Sequence, residues 1–153
     1  MTDTELRAAL GEEQATGLTG WAEARGEPLI GQVGVVCAIR NRVQTGTWGA
    51  TYRAVCFAKA QFSCWSPAGG PREAANYAAV MAQAERLLDG LPPEPMLRQC
   101  LWIARGVIAG DVEDVTEGAC HYMTRDRYLH DPPPWAKTMR PLVTLGRHVF
   151  LGG

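Results

Sequence analysis

The strongest constraint in the chain is the stretch Trp21-Ala-Glu-Ala-Arg-Gly-Glu-Pro28, which runs into Ile30-Gly-Gln-Val-Gly-Val-Val-Cys-Ala-Ile-Arg-Asn-Arg-Val43. Its first half reads as the end of one helix and its second half as the start of another. Leu18, Trp21 and Ala22 stand at i, i+3 and i+4, so they line one apolar face with Glu23 beside it. Gly26 is suited to a positive φ that stops the first helix, and Pro28 to the opening turn of the next. Val33, Val36, Ile39 and Val43 continue at helical spacing. Gly31 and Gly34 each cost a helix about 1 kcal/mol relative to Ala, so their use is the close approach of a neighbouring backbone. A carboxylate in the closing turn of a buried helix, beside an indole, is expected to have a raised pKa. That is the environment of a general acid.

Length and charge narrow the rest. With 153 residues, 46% of them apolar, the chain makes one domain (1–153) with a real core, and it is not a disordered polymer. A formal net charge of -1 gives no electrostatic basis for binding nucleic acid. The opening residues Met1 to Arg7 lack the basic and apolar regions of a secretory signal, and no run of apolar residues is long enough for a membrane span. Cys37, Cys56, Cys64, Cys100 and Cys120 form no C-x-x-C pair. Synthesis in a reducing cytoplasm is the expectation, with a Cys56–Cys64 bridge left open.

The spacing predicts helices over 4–25, with a break near Gly11 or Gly17, and over 28–44, closed by Thr45-Gly46. A turn follows at Thr51–Phe57, then an irregular piece from Gln61 to Pro67. Pro71 opens a helix to Leu88 with Ala74, Ala78, Met81 and Leu88 on one stripe. The next runs from Glu94 or Pro95 to Ala109 with the cleanest apolar period, and Trp102 is assigned to the core. After Asp111 short apolar pieces appear, and Leu145-Gly146-Arg147-His148-Val149 suits a hairpin or a bulged strand pair. The fold class is α+β, mostly helical, with a small antiparallel strand element near the carboxyl end.

Ala22-Glu-Ala-Arg-Gly-Glu27, Gly31-Gln-Val33 and Asn41-Arg-Val43 resemble the core signature of the SleB-type cell wall hydrolases. Gln61-Phe-Ser63, Gly118-Ala119 with Tyr122, Trp135, and Leu145-Gly146-x-His148-x-Phe150 resemble further family segments in the same order. The resemblance spans about residues 14–151; Pro132 to Pro134 and the cysteines depart from it. It implies a lysozyme-like fold and cleavage of peptidoglycan between N-acetylmuramic acid and N-acetylglucosamine. It also places the catalytic acid on Glu23. A lytic transglycosylase uses one carboxyl as acid and then base, whereas a muramidase adds a second carboxylate. Glu27 lies across Pro28 and reads as a capping carboxylate for the second helix. Asp111, Glu113, Asp114 and Glu117 read as a solvated run. Transglycosylase chemistry is therefore favoured, in a monomer of the phage endolysin kind that needs no cofactor or metal and meets the wall after release from the host cytoplasm.

Substrate-binding candidates are Gln61, Ser63, Trp65, Tyr122 and Trp135. The two polar groups suit the sugar acetamido, the two indoles in irregular segments suit stacking, and the Tyr122 hydroxyl suits a groove position. Asn41 and Arg42 read as fold-holding groups and His148 as structural. Three rival chemistries stand beside this reading. His121, His130 and His148 lack the spacing of strong zinc sites but would serve a zinc amidase. A Cys–His peptidase needs a thiolate at a helix start, and Cys37 lies mid-helix. A non-catalytic wall-binding or virion module would keep the fold without the chemistry.

Overall fold

Helix α2 (Glu12–Ala24) is the axis of the fold, because every residue from Ala15 to Trp21, and Ala24, is buried. In this computed structural model, which describes residues 1–153, the break before α2 falls at Gly11 and separates it from α1 (Asp3–Ala9). Helix α1 starts with a capping box: the Thr2 hydroxyl accepts from Glu5 N, and the Glu5 carboxylate accepts from Thr2 N. Around α2 pack α3 (Leu29–Thr45), α4 (Tyr52–Cys56), α5 (Pro71–Leu88) and α6 (Pro95–Ile108), with a single 3-10 turn at Ser63–Trp65. Gly46, at φ +74°, ends α3 as its sequence predicts. Glu12 accepts from Tyr52 N and Arg53 N, which ties the start of α4 to the start of α2.

The carboxyl-terminal third forms a three-stranded antiparallel sheet in the order β1-β3-β2, from β1 (His121–Thr124), β2 (Arg140–Leu145) and β3 (His148–Gly152). Of the two expectations for Leu145–Val149 the hairpin holds: β2 and β3 pair regularly across that turn, and their register slips only farther back, between Pro141 and Val143. Short helices α7 (Arg125–His130) and α8 (Pro134–Lys137) lie between β1 and β2. Central β3 is buried from His148 to Leu151. Phe150 joins Ala24, Val35, Ala38 and Ala119 in the cluster that welds sheet to helices. Gly34 makes that weld possible: a Cβ there would stand 2.7 Å from Phe150 Cζ and 2.9 Å from Leu145 Cδ1.

Three sequence expectations need correction. Gly26 does not adopt a positive φ; its missing side chain leaves room for Arg147, whose Nη2 would lie 3.2 Å from a Cβ and donates to Gly26 O. The buried stripe of α5 is Val80, Met81 and Ala84, and Ala74 and Ala78 face solvent. Alanine-rich helices carry little apolar contrast, so periodicity there fixes the helix and not its face. Trp102 is 73% exposed, because Ile103, Ala104 and Val107 carry the buried side of α6.

Candidate active site

Glu23 occupies the last turn of α2, partly buried, and its carboxylate accepts a 3.0 Å hydrogen bond from the Tyr122 hydroxyl. Strand alternation turns Tyr122 toward the helices, with its ring 5.2 Å from His148 and 5.6 Å from Phe150. The end of α3 sets where β1 begins. Asn41 Nδ2 donates to Ala119 O (2.8 Å) and Asp114 Oδ2 (3.0 Å), and Arg42 Nε donates to Cys120 O (2.8 Å). These are the fold-holding roles expected of Asn41 and Arg42. Burial pushes the Glu23 carboxyl above its ordinary range; the Tyr122 hydrogen bond and the Arg42 charge pull the other way without cancelling it. The result is a carboxyl that keeps its proton at higher pH than a surface Glu does.

Glu27 does not cap α3. It accepts from Arg147 N at 2.6 Å and Arg147 Nε at 2.7 Å, and His148 Nδ1 stands 3.5 Å away. A buried carboxylate needs strong donors, and the β2–β3 turn supplies two. Gly146, at φ +60°, gives the close approach: a Cβ there would meet Glu27 Oε1 at 2.8 Å. Burial pushes the Glu27 carboxyl up, but the two Arg147 hydrogen bonds and the nearby His148 and Arg147 charges outweigh it and hold the pKa below the usual value. The motif's second Glu thus latches the hairpin beside the first.

A groove of about 1180 Å³ opens over the end of α2. Glu23, Arg25 and Glu27 line it from α2 and the turn after it; Ser63, Arg72, Glu73 and Asn76 from the 3-10 turn and α5; Thr124, Arg125, Asp126 and His130 from the end of β1 and α7. Ser63 therefore lies on the same groove as Glu23. Gln61 is exposed, and its Oε1 accepts from Arg42 Nη1 at 3.1 Å. Trp65 corrects the stacking expectation. It is 6% exposed in the main core, packs edge-on to Phe57, and donates from Nε1 to Thr19. An irregular backbone did not imply an exposed side chain. Tyr122 spends its hydroxyl on Glu23, so it acts on the acid before any sugar. Trp135 is 47% exposed and lies against His121.

The sequence reading missed Arg72, Glu73, Asn76, Arg125 and Asp126. No local pattern marks them, since they reach the groove through the packing of α5 and α7. The acidic run is not uniformly solvated either. Asp114 accepts from Thr116 N, Thr116 Oγ1, Asn41 and Gly118 N, which outweigh burial and hold its carboxyl low. No group of three or more His, Cys, Asp or Glu side chains comes together in metal-holding geometry. His121, His130 and His148 stand against Trp48 and Trp135, Asp126 and Glu27 respectively. All five cysteines are free, and burial pushes the Cys56 thiol up to about 12, the reverse of a nucleophile's activation.

The molecule is thus a helical body with a small antiparallel sheet and an open groove that has the partly buried Glu23 carboxyl on its wall. The chain belongs to the Cell Wall Hydrolase family, whose sequence pattern matches residues 26–151, and it is an enzyme of cell wall degradation. That match begins three residues after Glu23. The fold is similar to the catalytic domain of the Bacillus cereus SleB protein, with 24% identity, TM-score 0.60, and 92% of this chain and 89% of that one covered. It is equally similar to the catalytic domain of a germination-specific lytic transglycosylase, SleB from Bacillus anthracis. There the identity is 24%, the TM-score 0.61, and the coverage 92% and 93%. No curated protein sequence matches the chain.

Proposed function

We propose that the protein cleaves the glycan strand of peptidoglycan between N-acetylmuramic acid and N-acetylglucosamine as a lytic transglycosylase, with Glu23 as acid and then base. Glu23 gives its proton to the glycosidic oxygen as the muramic C1–O bond breaks. The resulting carboxylate takes the proton of the muramic 6-hydroxyl, whose oxygen closes on C1 to form the 1,6-anhydro ring. No water is consumed, and Glu23 ends as it began. The observation that carries this reading is the state of the groove's carboxyls. Glu23 is buried toward its protonated form, while Glu27 is held as an ion by Arg147. Glu73 accepts from Gly70 N, and Asp126, almost fully exposed, lies 3.7 Å from His130.

Glu73 and Asp126 on the groove walls are the residues a two-carboxylate muramidase would use, and this is the alternative. The mass of the muropeptides released from purified wall separates the two. Anhydro ends, lighter by one water, from wild type and from Glu73→Gln and Asp126→Asn support the transglycosylase. Reducing ends, with one of these variants as inactive as Glu23→Gln, establish the muramidase. Gln61, Ser63 and Trp135 are proposed to hold the glycan, and lysis of a phage host from within belongs to the same reading. Expression in a bacterial host with and without a membrane pore tests that last part.

A further inference from the structure

Edge strand β1 connects Glu23 to an aromatic cluster outside the groove. Thr124 lines the groove, Tyr122 holds Glu23, and His121, at the strand's other end, lies between two indoles. Its ring centroid is 5.4 Å from Trp48 and 5.4 Å from Trp135. Trp135 belongs to none of the hydrophobic clusters of the fold and stays 47% exposed, so core packing does not account for its position. Arg42 lies over the inner Trp48 face, 4.6 Å from its centroid, and donates to Gln61 Oε1. Arg42 thus links the exposed Gln61 amide to Trp48, and the amide's own N–H groups donate to nothing in the chain. The same Arg42 is near enough for its charge to act on Glu23, so one guanidinium serves both the cluster and the acid.

We infer that Trp48, His121 and Trp135, with the Gln61 amide, form a pyranose-stacking subsite for the glycan strand, outside the groove that Glu23 lines. A sugar ring has a C–H face that lies on aromatic carbon and a rim of hydroxyl and acetamido groups that needs hydrogen-bond donors. The cluster offers both, and a purely apolar partner would leave the Gln61 donors unmet. The inference rests on the glycan reading given above.

The test uses the full chain carrying Glu23→Gln, titrated with peptide-free glycan oligomers prepared from wall, while the five indole N–H signals are followed by NMR. The expected result is that Trp48 and Trp135 shift and Trp102, in a separate hollow with Leu29 and Val33, does not. In the same background Trp135→Ala should weaken binding about three- to tenfold and Trp135→Phe should restore most of it, in keeping with one lost stacking contact. In active enzyme Trp135→Ala should raise KM on soluble glycan and leave kcat within a few-fold. Binding by the Glu23→Gln protein with Trp48 and Trp135 unmoved, or with Trp135→Ala as tight as its parent, overturns the subsite and leaves the glycan reading intact. No glycan binding by that protein overturns both.

Discussion

The Glu23 carboxyl sits among neighbours that act on it in opposite directions. Burial raises its pKa, and Tyr122 and Arg42 lower it. Glu23→Gln should keep the fold and cut wall clearing by about 10²–10⁴, the usual cost of losing a general acid; turbidity loss of purified wall measures it. Tyr122→Phe removes a hydrogen bond that favours the carboxylate, so the Glu23 pKa must rise further. The alkaline limb of the kcat/KM profile, where the acid is lost, should therefore move to higher pH in Tyr122→Phe, and a limb that stays or moves down would contradict this geometry. Away from the site, Trp102→Ala should change stability by no more than about 0.5 kcal/mol, as exposed positions do, despite the size of the side chain.

At the scale of elements, the β2–β3 hairpin is held against the helices by Glu27 and by the close approach at Gly34 of α3. Glu27→Gln weakens two charge-assisted hydrogen bonds to Arg147 and should cost about 1.5–3 kcal/mol in denaturant unfolding. The sign with pH follows from the lowered pKa. The latch is fully present above the ordinary carboxyl value of 4.5 and is lost as pH falls through the folded value. Wild type should lose stability toward acid more steeply than Glu27→Gln, and the gap between them should close at low pH. Gly34→Ala forces a methyl against Phe150 and Leu145, an overpacking cost of about 1–3 kcal/mol. Because Phe150 packs against Tyr122, this variant should also reduce activity at temperatures where it remains folded.

For the whole molecule, the chemistry proposed uses neither metal nor thiolate. Wall clearing should survive EDTA, and loss on chelation restored by zinc would favour an amidase built on the histidines. Iodoacetamide should label the native protein only at Cys120, the one partly exposed cysteine, and leave activity in place. Burial of Cys37, Cys56, Cys64 and Cys100 keeps their thiols protonated and out of reach.

Helix positions and most helix ends were legible in the chain, because they depend on neighbours within a turn. Leu18, Trp21 and Ala22 mark a buried face, Gly46 marks a stop, and the Ala22–Glu27 motif marks the carboxyl beside that face. Gly34 could even be read as a point of close approach, since a helix has no local use for it. What occupied those approaches could not be read. Phe150 fills the space at Gly34 and Arg147 the space at Gly26, from more than 100 positions away in the chain. The tertiary structure alone decided that Glu27 holds a hairpin and not a helix start, and that Trp65 is core while Trp102 is surface. It also brought Glu73 and Asp126 onto the groove. The reason is physical: periodicity reports that a residue faces something apolar or something wet. Burial, partner and pKa depend on which distant segment packs there, and that is set by the energy of the whole fold.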